Sequence, residues 1–587
     1  MEYDVLLLHP PSVYDFRKKT IFPGPIALTV TQSTSQFITI PVGLISIADL
    51  LDRNGFKVAI FNLGDLMLTR PDFNVERFIQ NTEASIYAID LHWCVHCQGA
   101  IEIARLCKGF HPSSLVVLGG LTATRFHQEI LQKFPFVDIV VRGEGEDPML
   151  CLARNANNEK EFSKIQNLTH RGTDGRIHSN PLCKPCETLD KYEFARLDLL
   201  EPKSPANEPV IRSWNIPVCR GCTYNCASCG GSKHGYKTLM GRETIALRSP
   251  SRIVEDLTKL AEQGIRNVFI FQDPRMGGKG YWNELVSCLR NEKPDITRLS
   301  MELFEPADVD FLREASSIGI PVGFNISPES GDQNVRTVHG RHYSNADILR
   351  TARLCQQFRI PLGVFFMLGL SEETSETVNM ALDLSERLLE IDRRLRIDWK
   401  ERRFESPVLL KPQFGVMILL DPGSLAFDFP EKFGYRLVLK NFEDYYLAMC
   451  KPSWHQWISY ETKSFSVDGF IKLVAQVLER ALTIEEKFSL YESPSDVASV
   501  AVRHFRIRSE HALVEEVDSA LQSTDSEEMK ARLNALQELF LLPLQGSFLY
   551  QVEDALHANE EGIADQYGYR RRLRQMIHES VGLMTGS

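Results

Sequence analysis

Residues 219–232 read CRGCTYNCASCGGS, and three of their cysteines follow the spacing C-x3-C-x2-C: Cys222, Cys226 and Cys229. Three thiolates within eight residues can bind three irons of one 4Fe–4S cluster, because each cysteine ligates its own iron. The fourth iron then has no protein ligand from this loop and stays open to another molecule. The spacing therefore predicts a cluster with one exchangeable iron position.

A zinc site is the alternative for the same segment. Cys219 with Cys222, and Cys226 with Cys229, form two C-x2-C pairs. Zinc sites usually separate such pairs by about fifteen residues or more, whereas only three residues lie between these two. The spacing favours the cluster, and Cys219 lies outside the set of its expected ligands.

The composition is that of a large enzyme. The 587 residues suffice for about three or four domains, and 43% hydrophobic with 24% charged residues allow each an ordinary core. A net charge of −11 argues against a nucleic-acid surface, and no apolar run is long enough for a membrane span. The N-terminus MEYDVLLLHPPS lacks an export signal, so thirteen cysteines indicate a reducing, cytoplasmic location.

Residues 1–155 alternate apolar strands with amphipathic helices. DVLLLHP (4–10) reads as a buried strand and GLISIADLLDRNG (43–55) as a helix ended by a glycine. This alternation predicts a parallel, doubly wound sheet. Its ligands bind at the carboxyl ends of the strands, where the sequence has HPPS (9–12), DLHWCVH (90–96) and the pair Gly119 and Gly120.

This first region resembles the cobalamin-binding domain that precedes many radical S-adenosylmethionine (SAM) domains. The resemblance lies in HPPS (9–12), PVGLISIA (41–48), LGGLTA (118–123) and RGEGE (142–146). The family motif D-x-H-x-x-G, which places a histidine below cobalt, is missing, so the resemblance implies cobalamin bound without a histidine from that motif. The implied cobalamin contacts are Pro10, Pro11, Ser12, Leu91, His92, Trp93, Gly119, Gly120 and Glu144.

A nucleotide, or no ligand at all, is the alternative for this sheet. No G-x-G-x-x-G follows the first strand, and the chain has no G-x-x-x-x-G-K-[ST] segment. The first absence weakens a dinucleotide site and the second excludes a P-loop.

The alternation breaks down in residues 156–215, which we expect to be a linker with small β elements. HRGTDGRIHSNP predicts a hairpin that turns at Asp174 and Gly175. EPKSPANEP (201–209) is rich in proline and typical of a linker. The cysteine pairs Cys183/Cys186 and Cys94/Cys97 have no visible partners for a second metal site.

Residues 216–430 return to strand–helix alternation, and with the cysteine loop they resemble the radical SAM partial β/α barrel. In that family the amino and carboxylate groups of SAM chelate the open iron, and an electron from the cluster releases a 5′-deoxyadenosyl radical. In FFMLGLSEET (365–374), serine and glutamate replace the usual Pro-Gly. Strand-end geometry also directs Glu302 and Glu329 to the barrel mouth. The implied SAM contacts are Phe271, Gln272, Asp273, Glu302, Ser327, Glu329 and Met367.

Residues 431–587 have apolar side chains at helix spacing, which predicts a helical C-terminal region and a candidate substrate cap. Two segments are predicted to act as lids over the substrate. One is the polar stretch 29–39, and the other is the aromatic stretch 454–460, for which core packing is the alternative.

The domain order implies a cobalamin-dependent radical SAM enzyme with three cofactors: a 4Fe–4S cluster, SAM and cobalamin. The commonest reaction that the resemblance implies is methylation of an unactivated carbon by way of a deoxyadenosyl radical and methylcobalamin. Cyclisation or ring rearrangement without methyl transfer stays open, as does a non-catalytic cobalamin and iron–sulfur sensor or carrier. We expect a small or lipid-like substrate, an external electron donor of the flavodoxin or ferredoxin type, and no nucleic-acid partner.

Overall fold

The computed structural model describes residues 2–22, 40–70, 72–172, 174–202, 213–401, 410–488 and 515–545. Two sheets dominate the described residues, one of eight strands and one of six. The predicted α/β class is confirmed, with a doubly wound N-terminal sheet, a barrel-like second sheet and helices towards the C-terminus. Among the described helices, none combines the length and apolarity that a membrane crossing requires.

The first sheet has the strand order β7-β6-β5-β4-β3-β1-β2-β8. Its strands are β1 (Glu2–His9), β2 (Val58–Asn62), β3 (Glu83–Asp90), β4 (Leu115–Gly119), β5 (Ile139–Val141), β6 (Leu168–Arg171), β7 (Ile177–Ser179) and β8 (Leu200–Glu201). Its helices are α1 (Val42–Arg53), α2 (Leu63–Thr69), α3 (Val75–Asn81), α4 (Cys97–Phe110), α5 (Leu121–Arg125), α6 (His127–Lys133) and α7 (Glu146–Arg154).

The pairing of this sheet changes from parallel to antiparallel at one edge. Strands β1 to β5 and β8 pair in parallel, as buried β-branched strands joined by helices do. Strands β6 and β7 form the hairpin that the turn residues predict, and β6 pairs antiparallel with β5. Residues that the sequence marks as a linker therefore extend both edges of the first sheet.

The second sheet has the order β16-β15-β14-β13-β12-β9, and all its neighbours pair in parallel. Its strands are β9 (Ser213–Pro217), β12 (Asn267–Phe271), β13 (Arg298–Leu303), β14 (Val322–Glu329), β15 (Leu362–Leu368) and β16 (Leu410–Val416), and β10 (Cys219–Arg220) pairs separately with β11 (Ala246–Leu247). Its helices are α8 (Lys233–Met240), α9 (Pro250–Glu262), α10 (Gly278–Glu292), α11 (Val309–Ser316), α12 (Gln333–Val338), α13 (Asn345–Gln357) and α14 (Ser375–Glu401).

The described C-terminal elements follow the second sheet in the chain. They are α15 (Leu425–Asp428), β17 (Tyr435–Leu437), α16 (Phe442–Met449), β18 (Tyr460–Thr462), α17 (Val467–Phe488) and α18 (Ser526–Gln545). Helix α16 packs against helices of the first sheet, and α17 packs against β16 of the second. Short 3-10 helices lie at Cys94–His96, Glu159–Lys164, Leu197–Leu199, Pro274–Gly277 and Trp454–Trp457.

The aromatic stretch 454–460 is core and not a lid. Trp454, Trp457 and Tyr460 are all buried, within a cluster that also contains side chains of α4. The backbone N–H of Trp454 donates to the carbonyl of Phe22 at 3.0 Å, which ties this stretch to the N-terminal segment. Burial of large aromatic rings explains the difference from the prediction, because each ring removes much apolar surface from water. The second predicted lid, 29–39, lies outside the described residues.

Candidate active site

One cavity of about 1160 Å³ lies between the carboxyl ends of the two sheets. Ligands of parallel sheets bind at this end of the strands, and here two such ends face each other. Residues of both sheets line the cavity, among them His92, Gly119, Gly143, Glu302, Ser327 and Phe365. The fold thus offers one shared space to whatever the two domains bind.

The structure brings five of the nine predicted cobalamin contacts to this cavity. They are His92, Trp93, Gly119, Gly120 and Glu144. Leu91, Pro10, Pro11 and Ser12 are buried and do not line it.

The HPPS loop is held by backbone contacts to a helix. The N–H of Gly99 in α4 donates to the carbonyl of Ser12 at 3.1 Å. A Cβ on Gly99 would lie 1.8 Å from the carbonyl oxygen of Pro11, so glycine is required for this approach. This packing gives Pro11 and Ser12 a structural role, and their contact with cobalamin stays a prediction.

The two glycines that follow β4 have different surroundings. Gly120 has a φ of +114°, and a Cβ there would lie 2.6 Å from the backbone of His92. A Cβ on Gly119 would meet only the carbonyl of Val141, at 3.7 Å. Gly120 is therefore required by the contact between two loops, while Gly119 leaves open space of the kind that a macrocycle needs.

A histidine and aspartate pair lies at the carboxyl ends of β1 and β3. His9 is fully buried, and its Nδ1 lies 2.9 Å from a carboxylate oxygen of Asp90. The His9 ring packs edge-on against His96, with ring centroids 4.9 Å apart. Burial lowers the pKa of His92, which keeps its imidazole neutral, and it stacks edge-on with Trp93 at 5.0 Å. Neutral aromatic groups and an open glycine position fit a large, mostly uncharged ring such as cobalamin.

Glu144 belongs to an ion-pair network that joins the two domains. The Nε of Arg242 donates to its carboxylate at 2.9 Å, and Arg220 lies 3.4 Å from the other oxygen. Arg220 also pairs with Glu146 at 2.5 Å, and Ser46 donates to Glu146 at 2.7 Å. We call these five residues the interdomain clamp. Both oxygens of Glu144 are engaged by arginines, so a contact with cobalamin stays a prediction.

Burial and neighbouring groups act in opposite directions on the pKa of Glu146 in the clamp. Burial alone raises the pKa of Glu146, but Arg220 and the Ser46 hydroxyl outweigh it and hold this pKa below its usual value. Glu146 is therefore ionised in the folded protein. Arg220 directly follows Cys219 and precedes Cys222 by two residues, so the clamp fixes the start of the cysteine loop to the first domain.

The cysteine loop is held in shape by backbone hydrogen bonds. The N–H of Tyr224 donates to the thiol sulfur of Cys222 at 3.4 Å, and the N–H of Gly230 donates to Asp421 at 3.1 Å. Helix α8 starts directly after the loop, where Ser232 caps it. A Cβ on Gly235 in α8 would lie 2.0 Å from the carbonyl of Gly230, so loop and helix touch through backbone.

Burial and a nearby arginine act in opposite directions on the pKa of two thiols of this loop. Burial raises the pKa of Cys222 and of Cys226, and the guanidinium of Arg341 opposes this at both. Within the described ranges, no three His, Cys, Asp or Glu side chains surround a single metal position. Zinc requires all its ligands on one atom, whereas a four-iron cluster takes one thiolate per iron. The loop spacing predicts a cluster held by Cys222, Cys226 and Cys229, and this assignment stays a prediction.

Four of the seven predicted SAM contacts line the cavity: Phe271, Gln272, Glu302 and Ser327. Gln272 has a φ of +75°. Its N–H donates to Glu302 at 2.7 Å, and its side chain accepts from the N–H of Cys219 at 3.0 Å. Such strained backbone is common at functional sites, and here it ties the end of β12 to the cysteine loop. Burial raises the pKa of Glu302.

Asp273, Glu329 and Met367 do not line the cavity. Asp273 is buried, pairs with Arg275 at 2.6 Å and accepts from the N–H of Phe304 at 2.8 Å, so its carboxylate serves the fold. Glu329 has a φ of +69°, and burial raises its pKa. Their contacts with SAM stay predictions.

Arg341 and Asp421 lie beside the cysteine loop, and sequence reasoning did not name them. Arg341 lies 3.3 Å from Glu329, and its guanidinium lies over the ring of Phe304 at 5.7 Å. Gly340 precedes it, and a Cβ there would lie 3.2 Å from the Cα of Cys226. The only sequence signal was this glycine, because no known spacing links residue 341 to the cysteine loop.

Comparisons with known proteins agree with this geometry. The family model described as "B12 binding domain" matches residues 28–153, and the one described as "Radical SAM superfamily" matches residues 216–385. The anaerobic magnesium-protoporphyrin IX monomethyl ester cyclase of Rubrivivax gelatinosus is 24% identical over 47% of this chain and 49% of its own length. The chain thus spans about half the length of this curated relative.

Two further proteins are similar in sequence or fold. The cobalamin-dependent radical SAM methyltransferase TokK of Streptomyces tokunonensis is 23% identical over 29% of this chain and 24% of its own. The radical SAM methyltransferase TsrM of Kitasatospora setae has a similar fold, with a TM-score of 0.55 and 16% identity over 84% of this chain and 90% of its own. The chain therefore carries a B12-binding domain followed by a radical SAM domain, and these two domains imply a 4Fe–4S cluster, SAM and cobalamin as cofactors.

Proposed function

We propose that this chain methylates an unactivated carbon of its substrate. The observation that carries the proposal is the cavity shared by the strand ends of the B12-binding and radical SAM domains. When bound, SAM on the cluster supplies a radical that removes a hydrogen atom, and cobalamin supplies the methyl group. The protein supplies binding, orientation and exclusion of water.

Residues at the barrel mouth provide complementary charges for SAM. Glu302 is a carboxylate on the cavity wall, and Arg341 is a largely buried guanidinium beside the cysteine loop. SAM has an amino and a carboxylate group at one end, and each charge finds its opposite here. Charge-assisted hydrogen bonds are stronger than neutral ones, so these two side chains orient SAM towards the open iron position.

Aromatic side chains line part of the barrel side of the cavity. Phe269, Phe271 and Phe365 line it, with Asn325 and Ser327 as neutral polar residues. Aromatic walls hold an apolar substrate and keep water from a reactive radical. This lining supports a substrate that is apolar around its reacting carbon.

Cyclisation or ring rearrangement is the second candidate. The sequence similarity to the magnesium-protoporphyrin cyclase favours it, because that similarity extends over 47% of this chain. The cavity is the same for both reactions. Analysis of the reaction products distinguishes methylation from cyclisation or rearrangement.

The test is anaerobic reconstitution with iron, sulfide and cobalamin, followed by incubation with reductant and SAM that carries a deuterated methyl group. A small-molecule extract serves as the substrate source. Methylation yields S-adenosylhomocysteine, 5′-deoxyadenosine and a product with the label. Deoxyadenosine alone with an unlabelled product supports rearrangement, and no SAM cleavage by protein with full cluster and cobalamin content contradicts both. Cys226→Ala is the negative control.

A further inference from the structure

One histidine of the first sheet borders the shared cavity. Among the residues that the structure describes, His92 is the histidine that lines this cavity, together with Asp90 and Gly119 at the neighbouring strand ends. Strands β3 and β4 pair so that Asp90 lies opposite Gly119. His92 follows the end of β3 by two residues. It therefore lies beside the open space that Gly119 leaves for a large ring.

The loop that follows β4 holds His92 by its backbone. The carbonyl of His92 accepts from the N–H of Thr122 at 3.2 Å and from the hydroxyl of Thr122 at 3.0 Å. The Cα of His92 is the atom that a Cβ on Gly120 would approach to 2.6 Å. These contacts fix the position of residue 92 and do not involve its imidazole.

The imidazole of His92 forms no hydrogen bond or ion pair with another residue in the described ranges. Its ring meets the ring of Trp93 edge-on, with centroids 5.0 Å apart. The two other histidines of this region, His9 and His96, are fully buried and do not line the cavity. An imidazole nitrogen without a protein partner is a common ligand of transition metals.

The carboxylates on the same wall already have partners. Asp90 lies 2.9 Å from Nδ1 of His9, and Glu144 accepts from Nε of Arg242 at 2.9 Å. Carboxylates also suit hard cations, whereas imidazole suits first-row transition metals. His92 is therefore the side chain that this wall offers to the metal of a bound macrocycle.

We propose that the imidazole of His92 is the lower axial ligand of cobalt when cobalamin is bound. A cobalt–nitrogen bond to His92 forms, the bond from cobalt to water or to the cofactor's own base breaks, and no electron is transferred. The ligand then comes from the loop after β3 and not from the loop after β1, where the motif D-x-H-x-x-G would place it. The inference goes beyond the proposed function, because it holds for methylation and for rearrangement alike.

The test is electron paramagnetic resonance of cob(II)alamin in the reconstituted full-length protein, without SAM or substrate. The unpaired electron of cob(II)alamin points along the axial direction, so an axial nitrogen splits each cobalt line into a triplet. Labelling the histidines with the heavy nitrogen isotope turns this triplet into a doublet, whereas the unlabelled base of cobalamin still gives a triplet. We expect a doublet in the labelled wild type. His178→Gln is the matched control and should keep the doublet, because His178 is exposed and pairs with Asp174.

His92→Ala should lose the doublet and keep bound cobalamin, because the backbone contacts of residue 92 remain. If the alanine variant does not retain cobalamin, His92→Gln, which is closer in size to histidine, takes its place. A triplet or an unsplit spectrum in the labelled wild type would overturn the proposal, and so would a doublet that survives replacement of His92. The spectra require no turnover, so a failure of the proposed methylation would leave them unchanged.

Discussion

The carboxyl ends of the two sheets, which both face the cavity, differ in the contacts that shape them. The end of the first sheet is shaped by backbone contacts, such as Gly120 against His92 and Gly99 against Pro11. The end of the second sheet contains buried charges, such as Glu302 and Arg341. In the proposed function, the carboxyl end of the first sheet therefore leaves room for the large ring of cobalamin. The carboxyl end of the second sheet provides charged side chains for the amino and carboxylate groups of SAM.

The largest expected effect concerns the cysteine loop. Alanine at Cys222, Cys226 or Cys229 should abolish the four-iron absorbance and all SAM cleavage, because each removes the ligand of one iron. Cys219→Ala should keep both, since its thiol lies 3.7 Å from the carbonyl of Gly221 and outside the spacing. Iron and sulfide content of the four variants is the measurement. Cluster loss in Cys219→Ala would contradict the assignment.

The next test separates the two glycines of the first sheet. Gly119→Leu should abolish cobalamin binding with little change in melting temperature, because it fills open space. Gly120→Ala should lower the free energy of unfolding by about 1–3 kcal/mol or more, since its φ is strained for alanine and its Cβ meets the backbone of His92. Cobalamin titration and thermal unfolding are measured for both. Normal binding by Gly119→Leu would place the cobalamin site elsewhere.

The interdomain clamp connects the two ends. Arg220→Ala should destabilise the protein by about 3–5 kcal/mol, because it leaves the buried carboxylate of Glu146 without its charged partner. Glu146→Gln removes the negative charge of the same ion pair and keeps nearly the same side-chain shape. The pKa of Glu146 is lower in the folded protein than in the unfolded chain. Its ionised carboxylate therefore stabilises the fold at pH values above the pKa of the unfolded chain. This stabilisation is lost as the pH falls through the pKa of the folded protein.

Unfolding of the wild type in an acid series should therefore show a loss of stability that Glu146→Gln lacks. Lys184→Ala is a suitable control, because its pair with Glu187 is exposed and such pairs contribute about 0–1 kcal/mol. Equal acid sensitivity of wild type and Glu146→Gln would show that the clamp does not contribute.

The smallest expected effect is on SAM affinity. Glu302→Gln and Arg341→Ala should each weaken SAM binding by about 1.5–3 kcal/mol, which is roughly ten- to a hundredfold. Asp273→Asn is the comparison, because its carboxylate binds Arg275 and Phe304 within the fold and should affect stability more than affinity. Calorimetric titration with reconstituted protein decides this. Unchanged affinity in both Glu302→Gln and Arg341→Ala would contradict their placement beside SAM.

Local sequence patterns predicted the elements of the fold well. The alternation of β-branched runs and amphipathic helices predicted two parallel sheets, and Asp174 with Gly175 predicted the β6–β7 hairpin. The aromatic stretch 454–460 was predicted wrongly as a lid, because sequence spacing does not reveal that the N-terminal segment at Phe22 covers it.

The sequence by itself predicted the iron–sulfur cluster, because Cys222, Cys226 and Cys229 lie within eight residues and each thiolate can bind its own iron. Cobalamin and SAM followed from the resemblance of the two domains to known families. Only the tertiary structure decided which strand-end side chains face the cavity. It gave Gly119 and Gly120 different surroundings, paired Asp273 with Arg275, and placed Arg341 beside a cysteine loop more than a hundred residues earlier in the chain. These outcomes depend on contacts between distant segments, which no local period or spacing encodes.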